Sequence, residues 1–212
     1  MFFANCSDNK IKESTVVIKK PSLNITLPTE ATFKNSDELN EDSLIVTIDK
    51  TTYLVTAKGK LFWEQNPTDT IQLIADEVIE KAYLHKFNDT LFIFYTETDY
   101  EGSTSRLVKI NLETKQTVWS AEILGFNLGI PYIIDNFAYV TAIGFVGKIN
   151  LTTGKYQYEF DSLYSNGAFN SFDSIIFQND KVYFISKQFQ KTIADTIIVN
   201  EKTKQLFKKS AL

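Results

Sequence analysis

The chain has 212 residues, a formal net charge of −4 and a hydrophobic content of 43%, which is enough to bury a substantial core. Its single Cys and single His exclude a disulfide framework and a metal site built from several Cys or His ligands. The mild acidity, with a pI of about 5.2, argues against a nucleic-acid-binding surface. The sequence contains no run of about 18 apolar residues, so it does not predict a membrane-spanning helix.

The N-terminus resembles the end of a bacterial lipoprotein signal. A short apolar tip at Phe2 and Phe3 precedes Cys6, and a polar stretch rich in Lys, Ser and Glu follows it. On this interpretation Cys6 is a lipidation site, the only membrane contact is its lipid anchor, and the protein lies in the periplasm or cell envelope. The alternative is an ordinary terminus with an unimportant Cys, which also fits a cytoplasmic protein.

Residues 1–40 are predicted to form a tether with one or two strands, and residues 41–212 the main domain. The predicted strands of the tether are two runs rich in β-branched residues, 15–18 and 23–27. Added to the last sheet of the domain, they would close the array and remove an exposed edge.

A hairpin pattern then recurs four times along the domain. Each copy has a short apolar run, a polar turn of Asn, Asp or Lys, and a second apolar run with an aromatic residue. Turn residues between β-favouring runs predict a β-hairpin in each copy. The marker aromatics are spaced by 39, 47 and 44 residues, which is typical of a repeat protein; they are Tyr53, Phe92, Tyr139 and Tyr183.

One segment of the first repeat also fits a helix. Ile71, Ile74 and Val78 follow helical spacing, and Asn66 opens a stretch of residues that favour a helix start. A short helix before the strand at Tyr83 is therefore an alternative to the strand interpretation.

A second hairpin, with an Asn at its turn, follows the first in each repeat. Copies begin at Asn111, Asn150 and Asn200, and a degenerate first copy is assigned to residues 58–63. Asn folds its side chain back onto the backbone of such a turn, and Gly after Thr closes a tight reversal. Two hairpins per repeat give a four-stranded sheet of about 40 residues. The predicted fold is therefore all-β, a β-propeller-like array of about four antiparallel four-stranded blades, incomplete or closed by the N-terminal strands.

The Asn150 turn, with Thr153–Lys155 reading Thr-Gly-Lys, resembles the Asp-x-x-Thr-Gly-Lys-x-x-Trp repeat of quinoprotein-like (PQQ-type) β-propellers. The resemblance covers residues 41–208. Asp is replaced by Asn, Gly by Lys in two copies, and Trp is kept only at Trp63 and Trp119. The resemblance implies a propeller fold. Because some members are scaffolds, such as the envelope lipoprotein that helps to assemble outer-membrane barrels, it also implies a protein-binding role.

Few residues indicate chemistry. His85 lies in a predicted strand with no nucleophile motif beside it, which favours a structural role over that of a catalytic base. Glu97, Asp99 and Glu101 alternate along the chain, so an extended strand would place all three carboxylates on one face. They are a candidate site for a basic partner or a cation, and a solvated hairpin tip is the alternative.

We therefore predict a non-enzymatic protein-binding module of the bacterial cell envelope, a scaffold-type lipoprotein with a protein partner and no cofactor. The alternative is an immunity or inhibitor protein that neutralises a secreted toxin, for which small size and acidic charge are the support. The third hypothesis is a hydrolytic or quinone-dependent enzyme. A quinone-dependent enzyme resembling the family would need a metal and cofactor pocket of several acidic and amide residues, which the sequence does not reveal.

Overall fold

The structure is a computed structural model, and it describes residues 23–34, 43–63, 66–73, 78–98, 102–165, 168–186 and 196–209. These residues form 21 β-strands. Every regular element in this part of the chain is a strand, so it contains no helix that could cross a membrane. The all-β prediction is confirmed.

The strands form four antiparallel sheets that follow one another along the chain. A short N-terminal segment precedes them and contains β1 (Ile25–Thr26), β2 (Thr29–Glu30) and β3 (Thr32–Lys34). The first sheet contains β4 (Ser43–Ile48), β5 (Thr51–Thr56), β6 (Lys60–Trp63) and β7 (Asn66–Gln72). The second contains β8 (Val78–Phe87), β9 (Thr90–Thr98), β10 (Ser103–Asn111) and β11 (Gln116–Ile123).

The third sheet contains β12 (Tyr132–Ile134), β13 (Phe137–Ala142), β14 (Phe145–Asn150) and β15 (Tyr156–Phe160). A separate small hairpin follows, with β16 (Tyr164–Ser165) and β17 (Ala168–Phe169). The fourth sheet contains β18 (Phe172–Gln178), β19 (Lys181–Ser186), β20 (Thr196–Asn200) and β21 (Leu206–Lys209). Within each of the four sheets the strands lie in chain order. The number of these sheets agrees with the predicted number of blades.

The four predicted first hairpins are confirmed as β4–β5, β8–β9, β12–β13 and β18–β19. Their two-residue turns are tight. In the first and fourth hairpins both turn residues, Asp49 with Lys50 and Asn179 with Asp180, have positive φ. This backbone conformation matches the twist of a hairpin, and Asn and Asp tolerate it better than most residues.

The Asn turns of the second hairpins are confirmed in the last three sheets. Each Asn Oδ1 accepts hydrogen bonds from the backbone N–H groups two and three residues further on, at 2.9–3.1 Å. The residue that ends each turn has positive φ in all three copies. That residue is Lys115, Gly154 or Lys204, so only the third sheet uses the residue type that adopts this conformation without steric cost.

The prediction of a degenerate first copy of the Asn turn at residues 58–63 is wrong. Ala57, Lys58 and Gly59 form the turn between β5 and β6, and residues 60–63 are the third strand of the first sheet. This turn therefore lies at the opposite end of its sheet from the Asn turns. The Gly59 backbone has positive φ, so the Lys-Gly-Lys sequence reflects a real turn but not the predicted one.

The helix alternative near residues 66–82 is wrong, because β7 and β8 occupy this region apart from Leu73, which is in neither strand, and residues 74–77, which lie outside the described part. Ile71 pairs with Leu61 in the first sheet, and Ile79 pairs with Glu97 in the second. Both isoleucines are buried in the core. Pairing and burial in a sheet override the helical spacing of the apolar residues.

The N-terminal segment runs across the first strands of three sheets. β3 pairs with β4, β2 with β8 and β1 with β12, all antiparallel. Ile25 and Thr26 thus extend the third sheet and do not complete the last one, contrary to expectation. Residues 15–18, the other predicted strand, lie outside the described residues. In the described part the fourth sheet has four strands, whereas the others have five.

The core consists of three apolar clusters, each between two successive sheets. One joins Leu44 of the first sheet to Leu84 of the second, and the next includes Phe94 and Val140 of the second and third sheets. The last joins the third and fourth sheets. Alternating side chains thus bury both faces of the inner sheets, as in stacked sheets generally. Within the described residues, none of these clusters joins the fourth sheet to the first.

Candidate functional site

The predicted acidic candidates begin with Glu97, which is 1% exposed on β9. Its carboxylate accepts hydrogen bonds from Arg106 Nε at 2.7 Å and from the Thr104 hydroxyl at 3.3 Å. The hydrogen bond to Glu97 raises the pKa of the Arg106 guanidinium. The Glu97 carboxylate is thus held inside the β9–β10 hairpin. Asp99, Glu101 and the candidate lipidation site Cys6 lie outside the described residues and stay predictions.

His85 is half-buried on β8. Its ring stacks on that of Phe92, with the centroids 6.2 Å apart and the planes at 20°. Burial lowers the pKa of the His85 imidazole, because the charged form is the more costly to remove from water. The side chain therefore contributes to packing as a mainly neutral ring.

Each sheet carries a row of paired side chains on the face that points to the next sheet. A row contains the marker aromatic on the second strand and the residues opposite it on the following strands. The first row is Tyr53 and Trp63; the second is Phe92, Lys109 and Trp119; the third is Tyr139, Lys148 and Tyr158; the fourth is Tyr183, Ile198 and Phe207.

The following sheet contributes one side chain to each of the first three rows. We call it the knob; it comes from the residue after the turn Asn. Leu112 packs against the cluster that contains Tyr53, and Leu151 belongs to the cluster that contains Phe92. In the fourth sheet the same position is Glu201. The backbone N–H of each knob donates to a carbonyl of the first-hairpin turn of its own sheet, at 2.8–2.9 Å, so the three positions are equivalent.

Glu201 therefore places a carboxylate where the other sheets have Leu. Its Oε2 pairs with Lys148 Nζ and accepts a hydrogen bond from the Tyr139 hydroxyl at 3.3 Å. Its Oε1 accepts one from the Tyr158 hydroxyl at 2.8 Å. Lys204 Nζ lies 3.7 Å from Oε2. All three residues of the third row thus contact this one carboxylate.

Burial and the Glu201 carboxylate shift the pKa values of the titratable side chains in the third row. Lys148 Nζ also lies over the rings of Phe137 and Tyr139, 4.4 and 4.9 Å from their centroids. Burial lowers the pKa of the Lys148 amine, although the contact with Glu201 opposes this. Burial and the Glu201 carboxylate raise the pKa values of the Tyr139 and Tyr158 hydroxyls. Both tyrosines consequently remain hydrogen-bond donors across the physiological pH range.

Clefts open between neighbouring sheets at the end where the first-hairpin turns lie. One of about 480 Å³ lies between the third and fourth sheets, lined by Lys148, Glu201 and the turn residues Asp135 and Asp180. Another of about 410 Å³ lies between the second and third sheets beside Lys109. The turn end of the stack is therefore grooved.

The fourth row lies on a face that no described cluster covers. Ile176 pairs with Tyr183 and extends the row onto β18. Ile176 and Phe207 are 48% and 49% exposed, while Tyr183 and Ile198 are half-buried. We call these four residues the end face. Lys181 shares this side of the sheet.

The opposite end of the stack differs. On the first sheet, Leu54 and Phe62 point away from the second sheet, yet they are only 2% and 6% exposed. The outer face of the first sheet is therefore already covered, whereas the end face on the fourth sheet is partly exposed.

Tyr183 is predictable from the sequence as a repeat marker, whereas the rest of the end face is not among the predicted site residues. The signal was present in the strand composition, because Ile175 with Ile176 and Ile197 with Ile198 place apolar side chains on both faces of the fourth sheet. Strands that are apolar on both faces are typical of sheets covered on both sides. The polar partners of Lys148 carried no comparable signal.

No family model matches the chain, and no curated protein sequence matches it. A solved structure that resembles it is Sqt1 of Saccharomyces cerevisiae, with 10% sequence identity and a TM-score of 0.26 over 74% of this chain and 70% of that chain. A TM-score this low carries no argument about fold or function. The resemblance to quinoprotein-like propellers gains no support here and stays a prediction.

Proposed function

We propose that this chain is a non-enzymatic protein-binding module and that the end face holds its partner. The observation that carries the proposal is the apolar row on the fourth sheet, in which Ile176 and Phe207 are exposed and Tyr183 and Ile198 are half-buried. A contiguous apolar face of this kind is characteristic of an interaction surface. The equivalent rows of the first three sheets are covered by a neighbouring sheet. Because the fourth row is likewise rich in apolar and aromatic residues, its composition is that of an interface.

The four sheets would act as blades of a propeller-like array. Their strands run in the same order, and residues 25–34 reach the first strand of three successive sheets. This placement supports an arrangement in which the first strands converge on a common axis, as they do around the channel of a propeller. A rigid array of this type would hold the end face in a fixed orientation.

Affinity capture with the full chain tests the binding role. We expect a reproducible partner to be captured by the wild type and lost with Ile176→Lys/Phe207→Lys, which places two charges on the end face. Val118→Lys is the matched control, because Val118 is 54% exposed on β11, away from the end face. A partner captured equally well by the end-face variant would contradict the proposal.

The envelope location is proposed separately, on the residues around Cys6. Cells that make the chain are fed a radioactive fatty acid. We expect the label to be incorporated into the wild-type protein and not into Cys6→Ser. Fractionation should place the labelled protein with membranes. An unlabelled wild-type protein in the soluble cytoplasmic fraction would refute the lipoprotein assignment and leave the end-face proposal untouched.

A further inference from the structure

We propose that the partner binds the end face through a β-turn that inserts an aliphatic side chain between Tyr183, Ile198 and Phe207. The inference rests on the proposed function, because it concerns the same face. It specifies the chemistry of the partner: a turn with a Leu- or Ile-type knob, flanked by an acidic residue.

The second and third interfaces of the chain show how a knob matches its row. Leu151 meets a row whose aromatic members, Phe92 and Trp119, bring no hydroxyl group. Glu201 meets a row with two phenol hydroxyls, and both donate hydrogen bonds to its carboxylate. Both of these rows contain a Lys, so the hydroxyl donors are what distinguish the row that accepts a carboxylate.

The fourth row lacks the groups that a carboxylate needs. Ile198 stands where the second and third rows have Lys, and Phe207 stands where the third row has Tyr158. A carboxylate inserted here would lose its hydration, and the row itself offers no cation and at most one hydroxyl to replace it, which is strongly unfavourable. An aliphatic knob has no polar group to desolvate, and its insertion buries apolar surface.

The partner is a separate protein rather than a second copy of this chain. The knobs Leu112, Leu151 and Glu201 are already packed in the chain's own interfaces, so these three positions of a second copy are not available to the end face. The outer face of the first sheet is covered as well, as Leu54 shows. Lys181 beside the row favours an acidic residue next to the inserted side chain.

A cyclised peptide with the sequence of residues 145–160 is a suitable probe, because it carries the β14–β15 hairpin whose Leu151 serves as a knob in the second interface. The matched control is the same peptide with Leu151→Glu. Binding of each fluorescein-labelled peptide to the full chain is measured by anisotropy. We expect the Leu peptide to bind the wild type at least tenfold more tightly than the Glu peptide.

The variant Ile198→Lys/Phe207→Tyr gives the fourth row the composition of the third, and it should reverse this preference. Its thermal unfolding is compared with that of the wild type to confirm that it folds. Equal binding of both peptides to the wild type, or an unchanged preference in the variant, would overturn the inference. The inference would also be overturned if the wild type sedimented as a dimer and the Phe207→Lys variant as a monomer.

The two proposals fail in different ways. If the captured partner depends on Ile176 and Phe207 but the peptides do not discriminate, the knob inference fails and the binding role stands. If capture does not depend on these residues, the binding role of the end face fails, whatever the peptides do.

Discussion

Replacing Glu201 by Leu tests whether the polar cluster between the third and fourth sheets acts as a unit. The change gives the fourth sheet the same knob that the second and third sheets use. It also removes the acceptor of Lys148 and of the Tyr139 and Tyr158 hydroxyls. The Lys148 side chain is only 7% exposed, so water cannot fully replace the lost carboxylate.

The expected loss follows from these contacts. Removing one member of a buried ion pair costs about 3–5 kcal/mol. We expect Glu201→Leu to lower the free energy of unfolding by about 3 kcal/mol, at the lower end of this range. The Glu201 side chain is itself 20% exposed, so water screens part of the interaction. The double variant Lys148→Met/Glu201→Leu removes both charges. It should recover to within about 1.5 kcal/mol of the wild type, the remainder being two unpaired hydroxyls.

Urea unfolding at pH 7, followed by tryptophan fluorescence, measures these differences. Lys202→Met is the control, because it breaks the Lys202–Asp180 pair, whose side chains are 75% and 60% exposed. That exposed pair should contribute less than about 1 kcal/mol. A loss below about 1 kcal/mol for Glu201→Leu would refute the reasoning, as would a double variant that is no more stable than the single one.

Three further predictions concern single positions. Because burial lowers the pKa of His85 below its ordinary value, the unfolded chain takes up a proton first, and stability should fall as the pH drops below about 6.5. His85→Phe should flatten that slope in urea titrations between pH 5 and 8, and an NMR titration of wild-type His85 that gave a pKa above 6.5 would contradict the argument. Gly154→Ala should lower the free energy of unfolding by about 1–3 kcal/mol, because a Cβ there would lie 2.7 Å from the Trp119 ring and the backbone has φ of +70°; an unchanged urea midpoint would count against this contact. Lys115→Gly, at the equivalent turn position with φ of +56°, should raise stability by about 0.5–1 kcal/mol, because Gly adopts this conformation without steric cost, and thermal unfolding would show whether the sign is right.

Sequence reasoning succeeded where the determinants are local. The Asn111, Asn150 and Asn200 turns depend on hydrogen bonds to residues two and three positions away, so the motif itself is sufficient to predict them. The first hairpins are local as well, because the strands that pair are separated by two turn residues.

It failed where partners are distant in the chain. Glu201 lies 53 residues from Lys148 and 62 from Tyr139, and their contact depends on which sheets are neighbours. The N-terminal strands had the same problem. Ile25 is a β-favouring residue, but its sequence does not indicate that its partner is Ile134 of the third sheet.

The path of residues 25–34 has a consequence for the order of folding during synthesis. β3 leaves the ribosome shortly before its partner β4, but β1 must wait for β12, about 110 residues later. Such a high contact order slows the final step, because a long stretch of chain must close before the pairing forms. A nascent chain therefore docks this segment backwards, from β3 through β2 to β1, and ribosome-bound intermediates should protect its amide hydrogens from exchange in that sequence.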